Sequence, residues 1–153
     1  MTRIDFYVLP EIRREARERF AARLAAHAFR QGQRSVLLVA DDATGARLDE
    51  DLWAQPGGFL PHARIGADDA DAAPVRLATP AELDAREQTG DSAHDLLINL
   101  TDAVPEHFAS FDRVAEVVCQ DDAVREATRA SYRFYRERGY PLHHHDLARE
   151  RAR

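Results

Sequence analysis

The sequence of 153 residues contains one cysteine, no lysine and no long apolar run. Because Cys119 has no second cysteine to pair with, an intrachain disulfide is excluded, and without a CxxC pair the usual zinc and redox sites are excluded as well. We expect Cys119 to be a buried thiol that packs as a small hydrophobic group. The lack of lysine leaves arginine to carry every basic charge besides histidine, which by itself assigns no function.

Long hydrophobic stretches are also missing. No apolar run approaches the roughly 20 residues that span a bilayer, and the first residues lack the basic start and apolar stretch of a signal peptide. We therefore expect a cytoplasmic protein without membrane contact. The formal charge of −6 argues against a broad basic surface for nucleic acid, so we expect protein partners and no strong direct nucleic-acid binding.

The motifs of nucleotide and hydrolytic chemistry are absent from the sequence. The turn after the first apolar run reads Leu9-Pro10-Glu11-Ile12, without GxGxxG, and no Walker-type GxxxxGK, GxSxG or HExxH occurs. A proline and an acidic residue offer a phosphate neither close backbone approach nor positive potential. We expect no catalytic site, no metal and no cofactor. The alternative is a small Rossmann-like enzyme that acts on a nucleotide or a phosphoester.

Apolar runs alternate with amphipathic segments along the chain. The runs predict strands at residues 6–9, 36–40, 75–78, 96–100 and 114–119. Helices are predicted over 11–30, after an aspartate cap at Asp41 or Asp42, around 105–111 as a short turn, and over 122–138. Asp41 and Asp42 could also form a metal-binding pair, but capping is the better interpretation. The polar segments 66–73 and 81–93 are predicted to be surface loops.

This alternation predicts a single α/β domain over residues 1–142. Strands that are apolar throughout are typical of a parallel or mostly parallel sheet with helices on both faces, a Rossmann-like three-layer arrangement that here lacks a nucleotide-binding loop. Residues 143–153 alternate charge with histidine and are predicted to form a polar, flexible tail. Its three consecutive histidines and Asp146 could bind a metal, but adjacent side chains project in different directions, so none is assigned.

The predicted last helix carries an arginine stripe. Five residues at i, i+4, i+7, i+8 and i+11 share one side of it: Arg125, Arg129, Tyr132, Arg133 and Arg136. The opposite, packing side is assigned to Ala123, Ala127, Ala130 and Phe134. The stripe fits an ordinary solvated helix face. It also fits a cradle for an acidic peptide, because guanidinium groups match carboxylates and an aromatic ring supplies an apolar floor.

Two large rings, Trp53 and Phe59, flank a Pro-Gly-Gly turn after the second predicted helix. Such rings usually pack in the core. If they are exposed, they form a hydrophobic hot spot for a partner. The sequence leaves both interpretations open.

Several of these segments occur in a recognisable order and spacing between residues 3 and 147. They are Phe6-Tyr7-Val8-Leu9, residues 34–40, Arg47-Leu48-Asp49-Glu50-Asp51-Leu52-Trp53, Phe59-Leu60-Pro61-His62, residues 95–100, and residues 129–139 with Tyr132-Arg133-Phe134-Tyr135-Arg136. In these segments the chain resembles the chi subunit of the bacterial DNA polymerase III clamp loader. The acidic segment 68–71 and the histidine-rich end depart from that family's pattern.

The resemblance implies a Rossmann-like fold and a non-catalytic adaptor role in DNA replication. One surface would bind the acidic C-terminal tail of single-stranded DNA-binding protein, and by matching position it would contain Val118, Arg125, Arg129, Tyr132 and Arg133. Another would bind the psi subunit of the clamp loader, and it would contain Trp53, Phe59, Pro61 and His62. A DNA-repair helicase that competes for the psi surface in some bacteria is a further partner that the resemblance implies.

Overall fold

The computed structural model describes residues 1–57, 60–65, 73–87 and 95–148, in which strands and helices alternate. The strands are β1 (Arg3–Val8), β2 (Ser35–Leu38), β3 (His62–Arg64), β4 (Val75–Ala78), β5 (Leu96–Asn99), β6 (Arg113–Val118) and β7 (Leu142–Asp146). The α-helices are α1 (Glu15–Arg30), α2 (Asp42–Trp53), α3 (Pro80–Glu87) and α4 (Asp122–Glu137), and a short 3-10 turn covers Phe108–Ser110.

The strands form one sheet in the order β3-β4-β2-β5-β6-β1-β7, and every pairing is parallel. Strands β2, β4 and β5 are buried along their whole length, which is why their sequences show no alternation of apolar and polar residues. Each of them is apolar except for one buried residue: Ser35, Arg76 and Asn99. The prediction of an α/β fold with a parallel sheet is therefore confirmed. Strand β3, which has only three residues, was not predicted.

Hydrophobic layers cover both faces of the sheet. On one face α1 and α2 bury side chains such as Leu24 and Leu48. On the other face α3 and α4 bury Leu83, Val124 and Tyr135. This confirms the predicted three-layer arrangement. No helix in the described part of the chain combines the length and the apolar character needed to cross a bilayer.

Aspartate caps begin α2 and α4. The Asp41 carboxylate accepts a hydrogen bond from the backbone N–H of Thr44 at 2.8 Å, which also holds the pKa of Asp41 below its usual range. Asp121 accepts one from the N–H of Val124 at 3.1 Å. Asp42 instead pairs with Arg64. The structure thus supports capping at Asp41 rather than a metal-binding aspartate pair.

Part of the predicted loop 81–93 is helical. Residues 80–87 form α3, because Thr79 and Glu82 make a reciprocal capping box. The backbone N–H of Thr79 donates to Glu82 Oε1 at 3.1 Å, and the N–H of Glu82 donates to the Thr79 hydroxyl at 3.4 Å. Pro80 at the first helical position and the buried Leu83 complete the signal. Residues 88–94, and residues 66–72 of the other predicted loop, lie outside the described residues.

The C-terminal segment also differs from its prediction. Residues 142–146 form the edge strand β7, paired in parallel with β1, so a polar tail does not begin at residue 143. His145 explains part of this pairing, because its Nε2 is hydrogen-bonded to the buried Asp5 at 2.8 Å and its ring stacks on Tyr7 at 4.5 Å. An edge strand leaves much of its surface in solvent, so it carries little apolar signal. Residues 149–153 lie outside the described part.

A buried polar network joins β5, β6 and α4 in the interior. The Asn99 amide donates to both oxygens of the Glu116 carboxyl group at 3.0 Å, and the Tyr135 hydroxyl donates to one of them at 2.9 Å. Burial raises the pKa of Glu116 to about 7. Burial also raises the pKa of Tyr135, so its hydroxyl keeps the proton that it donates.

We expect Glu116 to make the protein less stable as the pH rises from about 5 to about 7. In this range the carboxyl group of the unfolded chain releases its proton while that of the folded chain retains it. The free energy of unfolding therefore falls as the pH rises. Relative to Glu116→Gln, the parent should lose about 2–3 kcal/mol of unfolding free energy between pH 5 and pH 8. Urea denaturation of both proteins measures this. A stability difference that does not change with pH contradicts the assignment.

Candidate functional site

A cavity of about 420 Å³ lies between α4 and the β1–β7 edge of the sheet. Its lining is mostly apolar, with two arginines on the helical side, and consists of Phe6, Val8, Thr128, Arg129, Tyr132, Arg133 and His144. Alternate residues of a strand share a face, which brings Phe6 and Val8 to the side where α4 packs. Residues four apart on a helix also share a side, which places Arg129 beside Arg133.

Three rings contact one another in this cavity. The rings of Phe6 and His144 stack at 5.3 Å, with 16° between their planes. Tyr132 lies 5.7 Å from Phe6 and 5.4 Å from His144, tilted against both. The three rings line an apolar slot, against which a further aromatic or aliphatic side chain can pack.

Positive charge lies on the helical side of the slot. Arg129 and Arg133 are exposed, and the guanidinium of Arg129 donates to the exposed Glu126 carboxylate at 3.0 Å. The guanidinium of Arg136 lies 6.0 Å from the ring centre of Tyr132. An exposed arginine that already has an exposed carboxylate as partner can exchange it for a ligand carboxylate at little cost, since such pairs are weak.

The structure brings three of the five predicted tail-site residues together in this cavity: Arg129, Tyr132 and Arg133. Val118 is buried at the end of β6 and pairs in register with Val8, so it lies directly beside the lining. Arg125 is exposed one helical turn before Arg129 and does not line the cavity.

The packing side of α4 differs from its prediction. Ala123 and Ala130 are exposed, and the buried residues are Val124, Ser131 and Tyr135. The physical reason is the Tyr135 side chain. Burial of its large ring contributes more free energy than burial of an alanine methyl group, and its hydroxyl also donates a hydrogen bond to Glu116. Phe134 and Ala127 are half-buried at the edge of this face.

Four lining residues were not predicted: Phe6, Val8, Thr128 and His144. Thr128 could have been found, because it lies four residues before Tyr132 and therefore shares its side of the predicted helix. Phe6 and Val8 required the strand order, since their face is defined by which helix covers β1. His144 was assigned to a flexible tail.

The predicted psi surface centres on Trp53 at the end of α2. Trp53 is 59% exposed, and its ring and the His62 ring pack edge to face with 4.9 Å between their centres. The side chain of His62 is only 2% exposed and is hydrogen-bonded to the Leu60 carbonyl and the Asp49 carboxylate, both at 2.8 Å. Pro61 is half-buried. Phe59 lies outside the described residues, so its place in the psi surface stays a prediction.

In Rossmann-like folds ligands bind at the carboxyl ends of the strands. At the carboxyl ends of β1 and β6 in this chain, side chains of the protein itself bind the backbone carbonyls. The buried Arg17 donates to the Val117 carbonyl at 2.9 Å and pairs with Asp102 at 3.7 Å. At the turn after β1 the Gln120 amide donates to the Leu9 carbonyl at 2.9 Å. These contacts hold the loops against one another and provide no phosphate cradle.

One group of metal-ligating side chains occurs among the described residues, at Asp84, Glu106 and His107. His107 Nε2 is hydrogen-bonded to Asp84 at 2.9 Å, and Glu106 is exposed. The hydrogen bond between His107 and Asp84 accounts for their proximity without an ion.

Comparison with known proteins gives consistent matches over nearly the whole chain. A protein-family model described as DNA polymerase III chi subunit, HolC, matches residues 1–143. The DNA polymerase III subunit chi of Pseudomonas aeruginosa is 45% identical over 150 residues, which cover 97% of this chain and 99% of the relative. The subunit of the same name from Escherichia coli is 31% identical over 82% of each chain. That of Haemophilus influenzae is 32% identical over 90% of this chain and 92% of its own.

We expect Trp53 and His62 to differ in their effect on folding, although their rings touch. Trp53→Ala should change the unfolding free energy by less than about 1 kcal/mol, since most of the ring is in solvent. His62→Ala should cost about 1–3 kcal/mol, because it leaves a buried carbonyl without its hydrogen bond. Urea denaturation of the two variants measures both values. An equal loss in both would place Trp53 in the core.

Proposed function

This chain belongs to the family of DNA polymerase III chi subunits, and on that basis we propose that it links two replication partners through two separate surfaces. As a chi subunit it is a non-catalytic accessory subunit of DNA polymerase III, so the alternative of a nucleotide-processing enzyme is set aside. The first proposed partner is the acidic C-terminal tail of single-stranded DNA-binding protein. The second is a psi-like subunit of the clamp loader. Both would be met in the cytoplasm, during DNA replication.

The proposal for the tail rests on one observation, a ring-lined slot with two arginines beside it. A tail of this class is acidic and ends in an aromatic residue with a free carboxylate. The terminal ring would pack against the surfaces of Phe6, Tyr132 and His144 that face the cavity, and the carboxylate would pair with Arg129 or Arg133. Val118 supports the slot from the next strand, and Arg125 would meet acidic residues further along the peptide.

The net charge of the whole protein bears on how it could bind an acidic tail. At a formal net charge of −6, the chain as a whole repels an acidic peptide at long range. A local group of arginines must therefore supply the attraction. Salt screens this attraction, whereas the apolar slot is unaffected by screening, so binding should weaken as salt rises and still keep part of its affinity.

We expect Arg129→Ala to weaken binding of an acidic peptide that ends in Phe by about 1.5–3 kcal/mol, the usual value of a hydrogen bond to a charged group. Glu126→Gln should act in the opposite direction and tighten binding, because it removes the carboxylate that competes for Arg129. Fluorescence anisotropy with a labelled peptide, at low and at moderate salt, measures both changes.

Arg138→Ala is the matched control for that measurement. Arg138 belongs to the same helical region, but its guanidinium lies 3.6 Å from the ring centre of Phe134, and it does not line the cavity. Its variant should bind like the parent. If Arg129→Ala, or a peptide without its terminal Phe, also binds like the original, the tail does not occupy this cavity.

The proposal for the psi-like partner rests on the exposure of Trp53. Three large hydrophobic side chains are exposed in the described residues, Met1, Ile12 and Trp53. Tryptophan is the residue type most enriched in the energetic centres of interfaces. The ring is held on one edge by the buried His62, so little conformational freedom is lost when a partner covers it. By the resemblance, Phe59 and Pro61 belong to the same proposed surface. A DNA-repair helicase would compete for this surface in organisms that have one.

We expect Trp53→Ala to reduce capture of a purified psi-like subunit by about 2 kcal/mol or more while leaving the affinity for the tail peptide unchanged. Arg129→Ala should give the reverse pattern. Co-purification and peptide anisotropy on the same two variants test this. Loss of both interactions in either variant would mean that the two surfaces are not separate.

A further inference from the structure

The three consecutive histidines of β7 point to two different faces of the sheet. His144 pairs in register with Phe6 and shares the face on which α4 packs. His143 and His145 pair with Asp5 and Tyr7 and lie on the other face, where His145 is bound to Asp5. Only the middle histidine therefore reaches the cavity.

In the cavity the His144 ring is accessible to a ligand. Its side chain is exposed, and its ring stacks on Phe6 and leans against Tyr132. Within the described residues no protein group is hydrogen-bonded to its ring nitrogens, in contrast to His62, His107 and His145.

On the basis of the tail-binding role proposed above, we infer that His144 is a specificity-determining contact of this cavity. Its ring forms one wall of the slot for the terminal aromatic side chain of the peptide. In its protonated form it adds a third positive charge beside Arg129 and Arg133, so that the strand as well as the helix holds the acidic ligand.

The charged groups around His144 are unevenly distributed. On α4 the cavity is faced by Arg129 and Arg133, with Glu126 beside Arg129 and Arg136 above Tyr132. On β1 the residues of this face, Phe6 and Val8, carry no charge. On β7 itself Asp146 shares the face and accepts a hydrogen bond from the backbone N–H of Ala148 at 3.1 Å. Glu116 lies on the strand beyond Phe6, buried against Tyr135.

Asp146 is therefore the one acidic group of β7 on the face of the cavity. Protonation of His144 adds positive charge to this strand, on the side that faces the cavity. The affinity for the peptide should therefore rise as the pH falls.

The test is fluorescence anisotropy of the full chain with a labelled acidic peptide that ends in Phe, at pH 8 and at pH 6. The parent should bind about two- to fivefold more tightly at pH 6, the size expected for one additional exposed ion pair. His144→Gln removes both ring and charge, so it should bind about three- to tenfold more weakly at pH 6 and show no gain on acidification. His144→Phe keeps the stacking, so it should match the parent at pH 8 and lack the gain.

His143→Gln is the control within the same strand. It changes an exposed histidine on the opposite face, so it should reproduce the parent at both pH values. If both His144 variants bind like the parent at both pH values while Arg129→Ala binds weakly, the inference for His144 is wrong and the tail-binding proposal stands. If the parent does not bind the peptide at either pH, both are wrong. Should His144→Gln fail to fold by circular dichroism, the Phe variant decides alone.

Discussion

The parallel register of β1 with its two neighbours is the constraint on which the candidate site depends. Phe6 pairs with His144 on one side and with Glu116 on the other, and Glu116 pairs in turn with Asn99. This single row of the sheet contains both the floor of the cavity and the acceptor of the buried polar network. A shift of one residue in β1 would turn Phe6 to the opposite face and would separate the two, because neighbouring side chains in a strand point in opposite directions.

The buried network in turn sets the rotation of α4. Because the Tyr135 hydroxyl donates to the Glu116 carboxyl group, the helix face that contains Tyr135 is held against the sheet. Tyr132 lies three residues earlier and is therefore brought over Phe6, while Arg129 and Arg133 are directed to the rim of the cavity. A polar contact in the interior thus positions arginines on the surface. The hydrogen bond between Tyr135 and Glu116 and the shape of the cavity are consequences of the same helix orientation.

The sequence was sufficient where the signal was local. Continuous apolar runs identified five strands, and a four-residue period identified α1 and the arginine side of α4. The errors have separate physical causes. The polar helix α3 depends on the Thr79–Glu82 capping box rather than on hydrophobic periodicity. Strand β7 is held by pairing to β1 and by His145, so it has no apolar pattern of its own. The sequence did not show whether the alanines or Tyr135 of α4 face the sheet, because Tyr135 is held there by the buried Glu116. Phe6, Val8 and His144 could not be assigned to the cavity, because their positions follow from the strand order.

The positions of the two surfaces in the fold determine how an adaptor of this kind can work. Trp53 rests on His62 of β3, one edge of the sheet, and the cavity lies at β7, the other edge. Six strand spacings separate these edges, roughly 29 Å across the sheet. The surfaces also belong to opposite layers, since α2 covers one face and α4 the other. If the two proposed partners bind at these surfaces, neither of them needs to displace the other. A competitor for Trp53, such as the proposed helicase, would then replace the partner at one edge of the sheet without reaching a peptide bound at the opposite edge.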